Sequence, residues 1–236
     1  MFNDHSFISS SALVDELVRQ CSLALNNAVA LRGTASLLVS GGQSPLPFYQ
    51  LLCVQDLPWQ QIKIALVDER WVAIDHEGSN ESLIRRHLLI NNAQHAQFIP
   101  MKNPSLTAQQ GQLACENQYK KIQQPFDFAI LGMGSDGHTA SLFPQAKGLA
   151  HALDPKGKAS CAAITAMPSD TTSGLCERMT LTAAALLNCR SLNLLITGNH
   201  KQTTLCQAKE GTDVMEMPIR SLLHQQETPL HIYWAP

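Results

Sequence analysis

Apolar and polar positions along the chain follow two alternating patterns. Ser9, Ser10 or Ser11 can cap a helix running to about Leu31, because Leu13, Leu17, Cys21 and Ala24 or Leu25 recur on one stripe and Gly33 stops it. A short apolar strand, Ser36-Leu37-Leu38-Val39-Ser40, follows. From there compact apolar runs predict strands over 62–67, 97–100, 127–131, 160–166, 191–197 and 230–234, and helical periodicities predict helices over 45–53, 80–90, 106–122, 182–188, 200–209 and 218–224. The strands are continuously apolar rather than alternating, which requires cover on both faces. The pattern predicts an α/β fold: a Rossmann-like open, largely parallel sheet with helices on both faces, starting at about residue 36 after one helix.

No repeat, low-complexity stretch or long linker divides the 236 residues, so a single α/β domain over 1–236 is expected. With 44% hydrophobic residues, 15% charged residues and a formal charge of −2, the chain has neither a disordered composition nor the basic footprint of a nucleic-acid binder. Its seven cysteines are scattered singly without a C-x-x-C, which argues against a disulfide framework or a zinc knuckle and for reduced core residues. The start, Met1 to Ser6, has no basic segment followed by a long apolar one, and no apolar run approaches the ~18 residues of a membrane span. A cytoplasmic protein without membrane contact is expected. Loops 144–159 and 167–177 are the richest in Pro, Gly, Ser and Lys, and they are positioned to fold over a ligand.

The segment Asp127 to Pro144 carries the strongest chemical signal: an apolar strand runs into Gly132, Gly134 and Gly137, which enclose Asp136 and precede His138. Thr139 to Phe143 can start a helix, which would place His138 at a helix entrance beside free amide donors. Gly132-x-Gly134-x-x-Gly137 formally satisfies the dinucleotide fingerprint, but Asp136 would face the pyrophosphate and no acid ends a second strand about 20 residues on, so that reading is rejected. Ser40-Gly41-Gly42-Gln43-Ser44-Pro45 lies between a strand and a helix, with Ser44 as the expected cap and Pro45 at the first helical position; convergent amides there suit a phosphate. Asp68, Glu69 and Arg70 end the strand before them; alone they would be a solvated turn, but they share a sheet edge with both glycine loops. Arg178 and Lys201, in a chain with only 17 Lys plus Arg, are candidate phosphate cations. The histidines have no ligand-like spacing, so no metal is assigned.

These segments resemble the bacterial-type 6-phosphogluconolactonases, in the fold group that includes glucosamine-6-phosphate deaminase. Ser40 to Pro45, Val67 to Val72, Ser79-Asn80, Leu131 to Pro144, Arg178 to Thr182, Leu195 to Lys201, Pro218-Ile219-Arg220 and Ile232 to Pro236 carry the likeness nearly end to end. Two positions depart from related chains: Leu175 replaces the proline usual ahead of Arg178, and Phe143 stands where the deaminases have a supporting carboxylate. A deaminase or isomerase needs a coupled acid/base set that is one member short here, whereas a lactone is already activated and needs one base and one oxyanion partner. A sugar-phosphate-sensing regulator would carry a helix-turn-helix before the sheet. The resemblance therefore implies hydrolysis of 6-phosphoglucono-δ-lactone to 6-phosphogluconate in the oxidative pentose phosphate pathway, with no cofactor. It implies His138 as base, Arg70 as oxyanion or orienting cation, and Asp136 or Asp68 as the supporting carboxylate. Substrate and phosphate contacts fall to Ser40, Gly41, Gly42, Gln43, Ser44, Asn80, Gly134, Thr139, Arg178 and Lys201. The implied partner is the small-molecule lactone, and a monomer or weak homo-oligomer is expected.

Overall fold

A computed structural model describes residues 2–169 and 171–236. In chain order the elements are β1 (Phe2–Ser6), α1 (Ser10–Arg32), β2 (Ala35–Val39), α2 (Leu46–Leu52), β3 (Ile62–Leu66), β4 (Asp68–Arg70), α3 (Asn80–His87), β5 (Gln97–Ile99), α4 (Ala108–Tyr119) and β6 (Phe128–Leu131). They continue with α5 (Leu149–Ala152), β7 (Cys161–Thr165), β8 (Glu177–Leu181), α6 (Ala183–Leu187), β9 (Leu192–Thr197), α7 (Asn199–Glu210), α8 (Arg220–Leu223) and β10 (Leu230–Ala235). Seven strands form one sheet in the order β1-β10-β9-β6-β2-β3-β5, and every pair in it is parallel. β2 and β6, at its centre, are buried along their whole length, as continuous apolar runs between two helical layers must be. α1 packs through the stripe read from the sequence, with Leu13, Leu17, Cys21 and Leu25 inaccessible to solvent; Ser9 accepts the cap bond from Ala12 N and Gly33 closes the helix in the left-handed conformation.

Chain order reverses at the centre of the sheet. After β2 the chain moves outward through β3 and β5, then returns to place β6 on the other side of β2. Loops leaving the carboxyl ends of β2 and β6 therefore diverge and leave a crevice, the position at which open α/β sheets bind ligands.

The structure corrects several expectations. The strand expected over 160–166 forms, but as β7 of a separate three-stranded antiparallel sheet, β4-β8-β7. Its centre is β8, whose stretch Glu177-Arg178-Met179-Thr180 carries too many polar residues to read as a strand. Asp68 to Arg70 do not trail β3; they are β4, because Val67 bonds to both sheets, donating to Val39 O and accepting from Leu181 N. The main sheet begins at β1, an edge strand with two exposed and two half-buried residues among its first four, and so without an apolar run. Thr139 to Phe143 form turns, not a helix, with Ala140 at φ 49°. Side chains take over the backbone there: Thr139 Oγ1 donates to Gly132 O at 2.9 Å, and Thr180 Oγ1 accepts from Ser141 N at 3.2 Å. His138 is thus held in a looped segment rather than at a helix entrance. α2 has Pro45 at its N-cap with no side-chain cap bond, so the Ser44 hydroxyl is not used as a cap. Of the cysteines, Cys206 is exposed and Cys176 half-buried, while the other five are core residues. Among the described residues no helix is long and apolar enough to cross a membrane.

Candidate active site

The crevice at the centre of the sheet opens into a cavity of about 270 Å³. Loop Ser40–Pro45 after β2, loop Gly132–His138 after β6 and the start of α7 after β9 form three sides, and β4 with β8 closes the fourth. Every sequence-derived candidate lines it except Asp136 and Thr139. Thr139 is fully buried, its hydroxyl spent on Gly132 O, so it shapes the loop and does not face the cavity.

Asp136 stands behind His138. Its Oδ1 is 2.6 Å from His138 Nδ1 and accepts His138 N at 3.1 Å, while its Oδ2 accepts Thr171 Oγ1 at 3.3 Å. Burial alone would raise this carboxyl, but the bonds and charge of His138 outweigh it and bring it down to about 2. An ionised carboxylate only accepts, so Nδ1 carries the proton and Nε2 is the basic nitrogen left to the cavity. The imidazole lies on Phe143, ring centroids 4.1 Å apart, and the Arg178 guanidinium covers that ring at 5.4 Å. Gly134 has a steric reason to be glycine: a Cβ there would stand 2.1 Å from His138 Nδ1 and 2.5 Å from Asp136 Oδ1.

Asp68 takes a different post. It is buried, its Oδ2 accepts Ser141 Oγ at 2.6 Å, and its main-chain oxygen accepts Asn80 Nδ2 at 2.9 Å. Of the two carboxylates, it is Asp136 that bonds the histidine. Asn80 is in turn packed against Gly41, where a Cβ would meet its Oδ1 at 1.8 Å.

Arg70 and Arg178 are direct partners across the β4–β8 ladder. Like charges in that relation repel, and they are tolerated here because each is bound to main-chain oxygens with Asp68 close by. Arg70 Nη1 donates to Gly78 O at 2.6 Å; Arg178 donates through Nε to Leu175 O at 2.6 Å and through Nη2 to Thr172 O at 3.3 Å. Burial lowers Arg178 to about 10 against the pull of Asp68, and it remains charged at neutral pH. Lys201 donates to Met133 O at 2.6 Å and is lowered by burial, with the Asp136 charge acting the other way. Among the described lining residues, three cations stand against one carboxylate, a net positive set. Of the five buried side-chain polar atoms without a partner among the described residues, Ser40 Oγ, Arg70 Nε and Asn80 Oδ1 belong to this wall. No three His, Cys, Asp or Glu side chains among the described residues gather as metal ligands.

Two residues have roles that the sequence reading, which placed Glu69 at the ligand edge and Thr171 in a covering loop, did not assign. Glu69, fully enclosed, accepts the amides of Arg70, Asn80 and Glu81 at 2.7–2.8 Å and the Ser79 hydroxyl at 3.3 Å, so it fastens the start of α3 to β4. Burial pushes its carboxyl up to about 7 against those bonds. No local pattern links residues eleven apart. Thr171 sits in the loop already marked as a cover, but its contact with Asp136 depends on the fold alone.

The family model described as glucosamine-6-phosphate isomerases/6-phosphogluconolactonase matches residues 8–234. A 6-phosphogluconolactonase of Rhizobium meliloti is 38% identical over 234 residues, 99% of each chain. One from Pseudomonas aeruginosa is 39% identical over 212 residues, 90% of this chain and 86% of that one. The crystal structure of a 6-phosphogluconolactonase from Shewanella baltica superposes with a TM-score of 0.94 at 40% identity, covering 100% of this chain and 98% of that one.

Proposed function

The chain belongs to the glucosamine-6-phosphate isomerase/6-phosphogluconolactonase family, and from that premise we propose that its cavity hydrolyses 6-phospho-D-glucono-1,5-lactone to 6-phospho-D-gluconate. The observation that carries this reading is the Asp136–His138 pair opening onto a cavity whose other charges are mainly cationic. Water held by His138 Nε2 attacks the lactone carbonyl carbon and gives its proton to the imidazole. Arg70 holds the oxyanion that forms, and the imidazolium returns the proton to the ring oxygen as the carbon–oxygen bond breaks. Asp136 keeps the ring tautomer and plane through both transfers. The amides of Gly41 to Ser44, with Arg178 and Lys201, meet the phosphate. Each of the two catalytic effects is worth about 10²–10⁴-fold, enough for an ester already activated by its ring.

Phe143 disfavours isomerase or deaminase chemistry at the same site. The ring set against His138 is a phenyl, and among the described residues Asp136 is the carboxylate bonded to the histidine, with no second relay member beside it. Proton release or NMR monitoring of freshly generated lactone, with and without the protein, tests the proposal. Acceleration well beyond spontaneous opening is expected. Lactone decay at the spontaneous rate, or release of ammonia from glucosamine 6-phosphate, overturns it.

A further inference from the structure

We propose that Thr171 is a positioning residue for the acid–base pair: its hydroxyl fixes the plane of the Asp136 carboxylate, and through it His138. Asp136 Oδ1 takes both bonds from His138, at 2.6 and 3.1 Å. The terminal torsion of an aspartate is broad, so bonds on one oxygen leave the carboxylate free to rock about them. Thr171 Oγ1 meets the other oxygen at 3.3 Å, and Ser169 Oγ lies 2.8 Å behind Thr171 Oγ1. Since the carboxylate only accepts, Thr171 donates to it and Ser169 donates to Thr171, giving the chain a single direction toward the pair.

The same loop binds the cationic side of the site. Thr172 O and Leu175 O accept from Arg178, and Leu175 fills the space over Gly78, whose carbonyl holds Arg70. Among the described residues of the loop, Thr171 is the one that bonds the proton-transfer pair, so the loop's seating and the aim of His138 are set together. Among the described residues, the charged groups facing the pair are Lys201 from α7, on which the Asp136 charge acts, and Arg178 from β8 across the Phe143 ring.

The inference rests on the lactonase reading for its kinetic test and on geometry alone for its spectroscopic one. Thr171→Val keeps the shape and removes the hydroxyl, and Thr171→Ala is a second hydroxyl-free form; Thr171→Ser keeps the donor. With fresh lactone, kcat of Thr171→Val is expected to fall about 10-fold with KM within about twofold. The acidic limb of its pH–rate profile should move to higher pH, because more of the carboxylate charge then falls on the imidazole. Thr171→Ser is expected to stay within about twofold of wild type with an unmoved profile. In proton NMR, the hydrogen-bonded Nδ1–H of His138 should be retained with serine and broadened or shifted with valine. A wild-type kcat and profile for Thr171→Val, or equal loss with serine and valine, overturns the proposal. An unchanged Nδ1–H signal in Thr171→Val overturns it whether or not the chain hydrolyses the lactone. The expected NMR change on Thr171→Val, found together with a wild-type chain that does not hydrolyse the lactone, would instead support the positioning role and remove the functional reading.

Discussion

A missing methyl group at Gly134 gives the Asp136–His138 pair its room, since a Cβ would collide with both side chains. The pair is correspondingly sensitive to single atoms. His138→Ala removes the basic nitrogen and leaves the Ser40–Pro45 loop, Arg178 and Lys201 in place, so lactone turnover should fall by at least about 10²-fold while 6-phosphogluconate still binds. Turnover near wild type, after correction for spontaneous opening, would refute the assignment of His138 as base. Asp136 also ties the site to pH. Its carboxyl drops from an ordinary 3.8 to about 2, so the folded state binds that proton less tightly than the unfolded chain. The stability it contributes is therefore complete above its ordinary value and lost as pH falls through about 2. Urea unfolding should show the gap between wild type and Asp136→Asn narrowing over that acid range and flat above it; a gap that widens with acidification would contradict the pairing. The sequence placed Asp136 and Asp68 as equal candidates to support His138. Only tertiary structure separates them, because the choice depends on a 2.6 Å contact of one and a Ser141 bond of the other.

Among the elements, β4 and β8 contribute most beyond what periodicity reveals. Three residues of β4 present Asp68 and Arg70 to the cavity while Glu69, between them, turns to the opposite face and secures α3. Period-two alternation makes this division of labour possible: two residues serve the ligand and the middle one serves the fold. Glu69→Gln replaces an acceptor oxygen with a donor facing amides, so a loss of about 1–3 kcal/mol in unfolding free energy is expected. KM for the lactone should rise as well, because Asn80 and Arg70 lose their anchor; unchanged stability in denaturant titration would show that α3 does not depend on this carboxylate. The helix expected after His138 fails for a related reason. Thr139 and Ser141 bond to Gly132, Asp68 and Thr180, and those side-chain bonds compete with the helical ladder and prevail.

At the scale of the whole molecule, parallel central strands bring three loops from distant parts of the chain to one rim, and a second small sheet supplies the arginines that face them. A cavity with this excess of positive charge should couple ligand charge to global stability. At about 100 times its dissociation constant, 6-phosphogluconate should add about 2.7 kcal/mol to unfolding free energy, and unphosphorylated gluconate at the same concentration far less. Lys201→Ala or Arg178→Ala should reduce the difference between the two ligands; equal protection by both in thermal unfolding would argue that the phosphate is not what the wall holds. The sequence by itself determined the parallel α/β architecture, because short continuous apolar runs such as Leu37 to Val39 and Phe128 to Leu131, ended by glycine loops and alternating with helical patterns, read as strands covered on both faces. It also determined the glycine loops and their neighbouring His138, Arg70, Arg178 and Lys201, because glycine and isolated charge are local signals. The polar strands β1 and β8, the transfer of β7 to a second sheet, the capping by Glu69 and the reach of Thr171 to Asp136 were decided by tertiary structure alone. Each depends on bonds between residues far apart in the chain, and neither composition nor periodicity encodes which distant donor will find which acceptor.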